Sequence, residues 1–198
     1  MMKIALSFSG GKDSCLAVYR LQQQGYEVSC LITTVWRESN ETVAHGEKLE
    51  HIEKQAASIG IPVHFIETDF KTYTANFTET LKTLKAQDQM KGIAFGDIYL
   101  EGHREWGEQV AKQAGLEAIY PLWTDQQHVQ DLLKQFVALG FQARVIKVDP
   151  DKLPESWVGR LVDESFINDI RMKNVCPMGE SGEYHTAVFD GPIFKGQL

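Results

Sequence analysis

Apolar runs of strand length alternate along this chain with stretches whose apolar residues recur every three or four positions. The runs are "KIALSF" (3–8), "VSCLITTVW" (28–36), "PVHFIET" (62–68), "GIAFGDI" (92–98) and "EAIYPLW" (117–123). Between them, Leu49, Ile52, Ala56 and Ile59 share one helical face, and Trp106, Val110 and Ala114 share another. Gly25, Gly60 and Gly115 close such segments, as helix C-caps do. Strand-length runs joined by helices predict an α/β fold: a Rossmann-like parallel sheet of about five strands with helices on both faces.

After Trp123 the rhythm changes. "HVQDLLKQFVALGF" is amphipathic through Val129, Leu132, Leu133, Phe136 and Val137, and "ARVIKVD" predicts one more strand. "DPDKLPESWVGRLVDESFINDIR" mixes prolines and charges around a short helix. We expect a nucleotide-sized domain over 1–124 and a smaller α/β substrate-binding subdomain over 125–198, folded back onto the first.

Composition narrows the class. The 198 residues carry a net charge of −7, and no stretch approaches the roughly 20 apolar residues of a membrane span. An acidic chain does not coat DNA, because affinity for nucleic acid rests on clustered Lys and Arg that neutralise phosphate. Three cysteines, Cys15, Cys30 and Cys176, with no C-x-x-C pair, suit a reducing compartment. A cytoplasmic protein with no membrane partner follows as the expectation.

The chemistry begins at "SGGKDS", residues 9–14, between the first strand and the first helix. The first N–H groups of a helix are unpaired and, with the helix dipole, attract an anion. Gly10 and Gly11 allow close approach of phosphate oxygens, Lys12 adds charge, and Ser9 and Ser14 add hydroxyls. Asp13 is placed to help hold Mg2+. Two commoner motifs fail on spacing: G-x-x-x-x-G-K-S/T needs Gly where Leu6 stands and Ser or Thr where Asp13 stands, and G-x-G-x-x-G has no match. The turn resembles the PP-loop of the ATP pyrophosphatases. That resemblance implies ATP as cofactor, with Mg2+, attack on the α phosphorus, and pyrophosphate as the leaving group.

Two further blocks carry ionisable groups. Gly96 and Asp97 end the fourth apolar run, where an open parallel sheet binds its ligands. "CPMGESGEYHTAVFDGP" (176–192) crowds Glu180, Glu183, Tyr184, His185 and Thr186 around Gly179 and Gly182, a composition that reads as a site loop. In order and spacing, S-G-G-K-D-S, G-D, P-L-W and G-E-x-G-E-Y-H-T resemble the diphthine–ammonia ligase family over nearly the whole chain.

The resemblance implies a ligase that amidates a carboxylate through an acyl adenylate, with ammonium as nitrogen donor and AMP and pyrophosphate as products. It places Ser9, Gly10, Gly11, Lys12, Asp13 and Ser14 on ATP, and Gly96 and Asp97 near the phosphates or the metal. Glu180, Glu183, Tyr184 and His185 would line the place where adenylate meets ammonia, with either Glu183 or His185 as the base. The acceptor would be diphthine on elongation factor 2 in an archaeal or eukaryotic setting and some other carboxylate in a bacterial one. A homodimer suits so small a ligase. The chain departs from the family's Asp-Pro-Cys by reading Cys176-Pro177-Met178, and from its serine-led stretch after Gly96-Asp97 by reading "IYLEGHREW". Rival readings are a PP-loop enzyme acting on RNA, such as a tRNA thiolase, and a nucleotide-binding protein without turnover.

Overall fold

A computed structural model describes residues 1–196 and 198. Five strands, β1 (Lys3–Ser7), β2 (Glu27–Trp36), β3 (Val63–Thr68), β4 (Gly92–Ala94) and β5 (Glu117–Ile119), form one parallel sheet in the order β3-β2-β1-β4-β5. The expected α/β class and its parallel sheet are therefore present. Strand order reverses at β1, which pairs with β2 on one side and β4 on the other. Such a reversal leaves a crevice beyond the carboxyl ends of the two strands, because their following loops diverge to opposite faces.

Period-two alternation sorts the strand residues between two cores. Ile4, Leu6 and Leu31 pack on one face, against α1 (Lys12–Gln23) and α2 (Leu49–Ile59). Ala5, Cys30, Ile32 and Ile93 pack on the other, against α3 (Tyr73–Asp88) and α4 (Glu101–Ala114). Two of the glycines read as caps, Gly60 and Gly115, are left-handed C-caps; Gly25 lies one residue beyond the C-cap Gln24 and is also left-handed. The fourth and fifth strands are shorter than their apolar runs, since Phe95 onward turns away into the loop that carries Gly96 and Asp97.

The rest of the chain contributes α5 (Val129–Ala138), β6 (Gln142–Val148), a 3-10 turn at Glu155–Trp157, α6 (Glu164–Ile170) and β7 (Tyr184–Asp190). β6 and β7 pair antiparallel as a second, two-stranded sheet. Its inward residues Ala143, Val145, Tyr184 and Val188 join α5, α6 and α1 in the first core. The segment 176–192, read as a loop, is a loop only to Glu183 and then a strand. Its alternation is legible in hindsight: Tyr184, Thr186 and Val188 are buried while their neighbours are less so. α3 was absent from the sequence expectation; its weak amphipathicity comes from a polar surface with only Phe77, Leu81 and Leu84 as large buried apolar anchors.

Candidate functional site

The SGGKDS turn leaves β1 with its backbone fixed by β2. Phe8 N–H donates to Ile32 C=O at 2.8 Å, and Thr33 Oγ1 donates to Phe8 C=O at 2.7 Å. Gly10 then takes φ +77°, a left-handed turn open to glycine at no steric cost, and Gly11 becomes the N-cap of α1. A Cβ on Gly10 would meet Gln55 Oε1 at 2.5 Å, and one on Gly11 would run into the His45 ring. Both glycines therefore serve close packing by the protein itself. Gly11 offers no side chain to cap α1.

The distant C-terminal block meets this turn. Lys12 N–H donates to Thr186 Oγ1 at 3.0 Å, and Val188 N–H donates to Gly10 C=O at 3.2 Å. The Lys12 side chain is 2% exposed; its ammonium donates to Met178 C=O and to Asp13 Oδ2 at 3.1 Å, and lies 4.6 Å from the centre of the Tyr184 ring. Tyr184 is in turn fixed by its hydroxyl, which donates to Pro177 C=O at 2.6 Å. The lysine is thus held against the C-terminal block by a carbonyl and a π face, with its charge paired to its own neighbour Asp13.

Around it opens a cavity of about 640 Å³. The SGGKDS turn supplies Ser9, Lys12, Asp13 and Ser14; the loop after β4 supplies Gly96 and Asp97; and residues 179–182 and 184–186 form the opposite wall. Thr33 and Thr34, at the end of β2, line it too. Gly96 lies beside the first turn of α1, where a Cβ would meet Asp13 backbone at 3.4 Å.

Glu183 is the exception. It is buried but lies outside the cavity wall, with Oε1 accepting from Cys176 N–H at 3.2 Å and Oε2 from Ser181 N–H at 2.9 Å. Those two bonds close the 176–183 loop on itself, so both oxygens are committed to backbone. The expectation that Glu183 lines the reaction site is corrected here: the carboxylate braces the loop from inside.

Three carboxylates line this space. Asp13 is raised by burial against the opposing pull of Lys12, and its Oδ1 is buried without a hydrogen-bond partner. Glu180 is raised to about 7, chiefly by burial and further by Asp13 and Asp97, although Ile98 N–H donates to it at 2.8 Å. Asp97 Oδ1 lies 2.9 Å from His103 Nδ1. A buried carboxylate oxygen with no donor, beside two more carboxylates, suits Mg2+, which takes oxygen ligands.

Two histidines face the cavity from different elements. His185 on β7 is lowered to about 4 by burial and by Lys12, and His45, in the loop before α2, is lowered to about 3 by burial, His185 and Lys12. Their ring centres are 4.7 Å apart. His45 and His103 escaped the sequence reading. His45 belongs to a segment without periodicity, whereas His103 has a usable signal, six residues after Asp97 on the first turns of a helix.

With this geometry in place, comparison with known proteins is informative. A sequence model described as the diphthamide synthase N-terminal domain matches residues 2–118, and one described as the diphthamide synthase C-terminal domain matches residues 128–198. The chain belongs to the diphthamide synthase family. Among curated relatives, the diphthine–ammonia ligases of Rattus norvegicus and Homo sapiens are 29% and 28% identical across all of this chain and 82% of their own length. A diphthine–ammonia ligase of Schizosaccharomyces pombe is 26% identical, but the chain covers 36% of it. Among solved structures, the U34-tRNA thiolase NcsA from Methanococcus maripaludis aligns with TM-score 0.44 and 15% identity over 70% of this chain and 57% of its own. The two matched family segments meet at the cavity, the first through Lys12 and the second through Thr186 and Met178. Among the described residues, no helix is long and apolar enough to cross a membrane.

Proposed function

We propose that the chain is an ATP-dependent ligase that joins ammonia to a carboxylate through an acyl adenylate, releasing AMP and pyrophosphate. The observation that carries this reading is the meeting of Lys12 with the 176–186 segment, since it puts a phosphate-binding turn and a second set of reactive groups in one cavity. Membership of the diphthamide synthase family and relatives named diphthine–ammonia ligase support it.

In this reading Ser9 to Ser14 receive the β and γ phosphates at the open start of α1, and Lys12 neutralises charge on departing pyrophosphate. Preorganised donors where charge develops are the most effective form of electrostatic catalysis, because no solvent has to reorganise. Asp13, with its free buried oxygen, is the residue that would hold Mg2+, which supplies charge neutralisation on the phosphates. Gly96 and Asp97 border the same space.

Of Glu183 and His185, His185 is the one placed to meet ammonia. Its ring lines the cavity and, lowered to about 4 by burial and Lys12, is neutral at pH 7, so its free lone pair accepts a hydrogen bond from ammonia and orients the nitrogen for attack, with deprotonation of ammonium left to solvent. Glu180 shapes the wall opposite Lys12. The acceptor is a carboxylate on a protein partner if the chain serves diphthamide synthesis.

A thiolase reading finds less support. Cys15 and Cys30 are buried with their thiols pushed up, Cys30 to about 12, and Cys176 is half-buried outside the cavity lining. Thiolate chemistry by a cysteine pair has no pair to use.

The test is to incubate the full chain with Mg-ATP, ammonium and candidate carboxylate acceptors, and to resolve the nucleotide products. AMP and pyrophosphate formed only with acceptor and ammonium support the proposal. ADP as product, or tight ATP binding without turnover across acceptors, overturns it.

A further inference from the structure

We propose that Asp97, His103 and Glu180 form a divalent-cation site that favours a transition ion such as Mn2+ over Mg2+. One ligand atom from each lies within 4.8 Å of the other two, so a single ion fits among them after small rotations. Three separate elements deliver them: the loop after β4, the first turns of α4, and the C-terminal loop. Convergence of that kind is not produced by local sequence.

Charge argues the same way. Among the described residues, no lysine or arginine pairs with Asp97 or Glu180; the ion-pair partner of Asp97 is His103, and Glu180 accepts from the backbone N–H of Ile98. Two carboxylates side by side without a fixed cation are stabilised by a metal. Asp13 lines the same cavity but is not part of this cluster, and its carboxylate is paired with Lys12.

The imidazole selects the metal. Mg2+ favours an all-oxygen shell and keeps several waters, whereas a nitrogen ligand suits Mn2+, Co2+ or Zn2+. An ion here would displace any proton shared by His103 Nδ1 and Asp97 Oδ1, so binding releases protons. It would also tie Glu180 to α4, fixing the C-terminal loop over the crevice.

This site goes beyond the ligase reading and needs no nucleotide, so the two fail independently. Chelator-treated full-length protein is titrated with MnCl2 in the absence of ATP, following free Mn2+ by EPR. Saturation near one ion per chain is expected, with affinity for Mg2+ at least tenfold weaker in competition. His103→Gln and Glu180→Gln are each expected to lower Mn2+ affinity by tenfold or more. Glu79→Gln, in the exposed Glu79–Lys82 pair of α3, leaves it unchanged. Pulsed EPR of the Mn2+ complex shows nitrogen coupling that disappears in His103→Gln, and thermal unfolding without metal verifies that the variants fold. Absence of saturable binding, equal affinity for Mg2+, or binding unaltered in both variants overturns the proposal.

Discussion

Gln55 is the joint between the phosphate turn and the C-terminal strand, and its replacement by Leu tests whether that joint sets the site. The side chain is fully buried, and its amide donates to Gly10 C=O at 2.9 Å and to Val188 C=O at 2.7 Å. Leu nearly conserves the volume, so little cavity cost enters. Two neutral hydrogen bonds contribute about 1 kcal/mol each, and a buried carbonyl without its donor costs about 1 kcal/mol or more. Gly10 C=O keeps Val188 N–H, which limits that cost to the Val188 carbonyl. Gln55 Oε1 has no partner in the native protein, so its removal returns about 1 kcal/mol. The net loss is about 2 kcal/mol, or about 4–8 °C in thermal midpoint for a chain of this size. Gln55→Glu is expected to lose more, because a carboxylate oxygen beside two carbonyls repels them and its charge is buried. Calorimetry of both variants measures the stability, and ATP titration of the folded Leu variant measures the coupling, with weaker nucleotide binding expected from a loosened Gly10. A Leu variant within about 0.5 kcal/mol of the native protein would refute the energetic reasoning. A destabilised variant with unaltered ATP affinity would refute the claim that this joint positions the turn.

Further outcomes follow from the same geometry. Lys12→Met is expected to cut turnover by about a hundredfold or more, the scale of one well-placed electrostatic group, as read by pyrophosphate release with saturating ATP. Glu183→Gln keeps one acceptor and loses the charge, so it should destabilise the 176–183 loop by about 1–3 kcal/mol while leaving the pH profile of turnover unshifted; a lost acidic limb would restore Glu183 as the base. The neutral histidines give a pH dependence of stability. His45 and His185 titrate at about 3 and about 4 in the folded chain against 6.5 unfolded, so the stability they contribute is whole above pH 6.5 and is lost as pH falls toward those values. Lys12 and Lys147 face the pair and oppose its protonation. Urea midpoints measured from pH 7.5 to 4 should fall less steeply in a His45→Gln, His185→Gln double variant.

Much of this was open to reading because its causes are local. The five apolar runs became the parallel sheet, since alternation with helical segments leaves few other ways to bury them. The turn at 9–14 was legible because a strand, two glycines, a lysine and a helix in succession have one economical use. What escaped depends on burial and direction, which single-residue chemistry does not record. Glu183 and Glu180 are three residues apart, both acidic and both beside a glycine, yet one faces backbone N–H groups and the other faces the cavity. Only the path of the loop before β7 distinguishes them.

The unusual "CPM" reads differently in three dimensions. Met178 contributes its carbonyl, which accepts from Lys12, and its side chain is buried in the first core, so any residue with the same backbone serves the lysine equally well. Pro177 likewise acts through a carbonyl that holds Tyr184. Cys176 and Pro177 are both partly exposed, and the N–H of Cys176 is committed to Glu183. The departure from Asp-Pro-Cys therefore leaves the lysine's contacts intact and alters the side chain offered at position 176, where a thiol replaces an acid. Position 176 lies outside the cavity lining, in the loop whose residues 179–182 wall it, so a change of acceptor written there acts through that loop. Cys176→Asp should therefore shift which carboxylates support AMP release while leaving ATP affinity unchanged, and an acceptor spectrum identical in the two proteins would place specificity elsewhere.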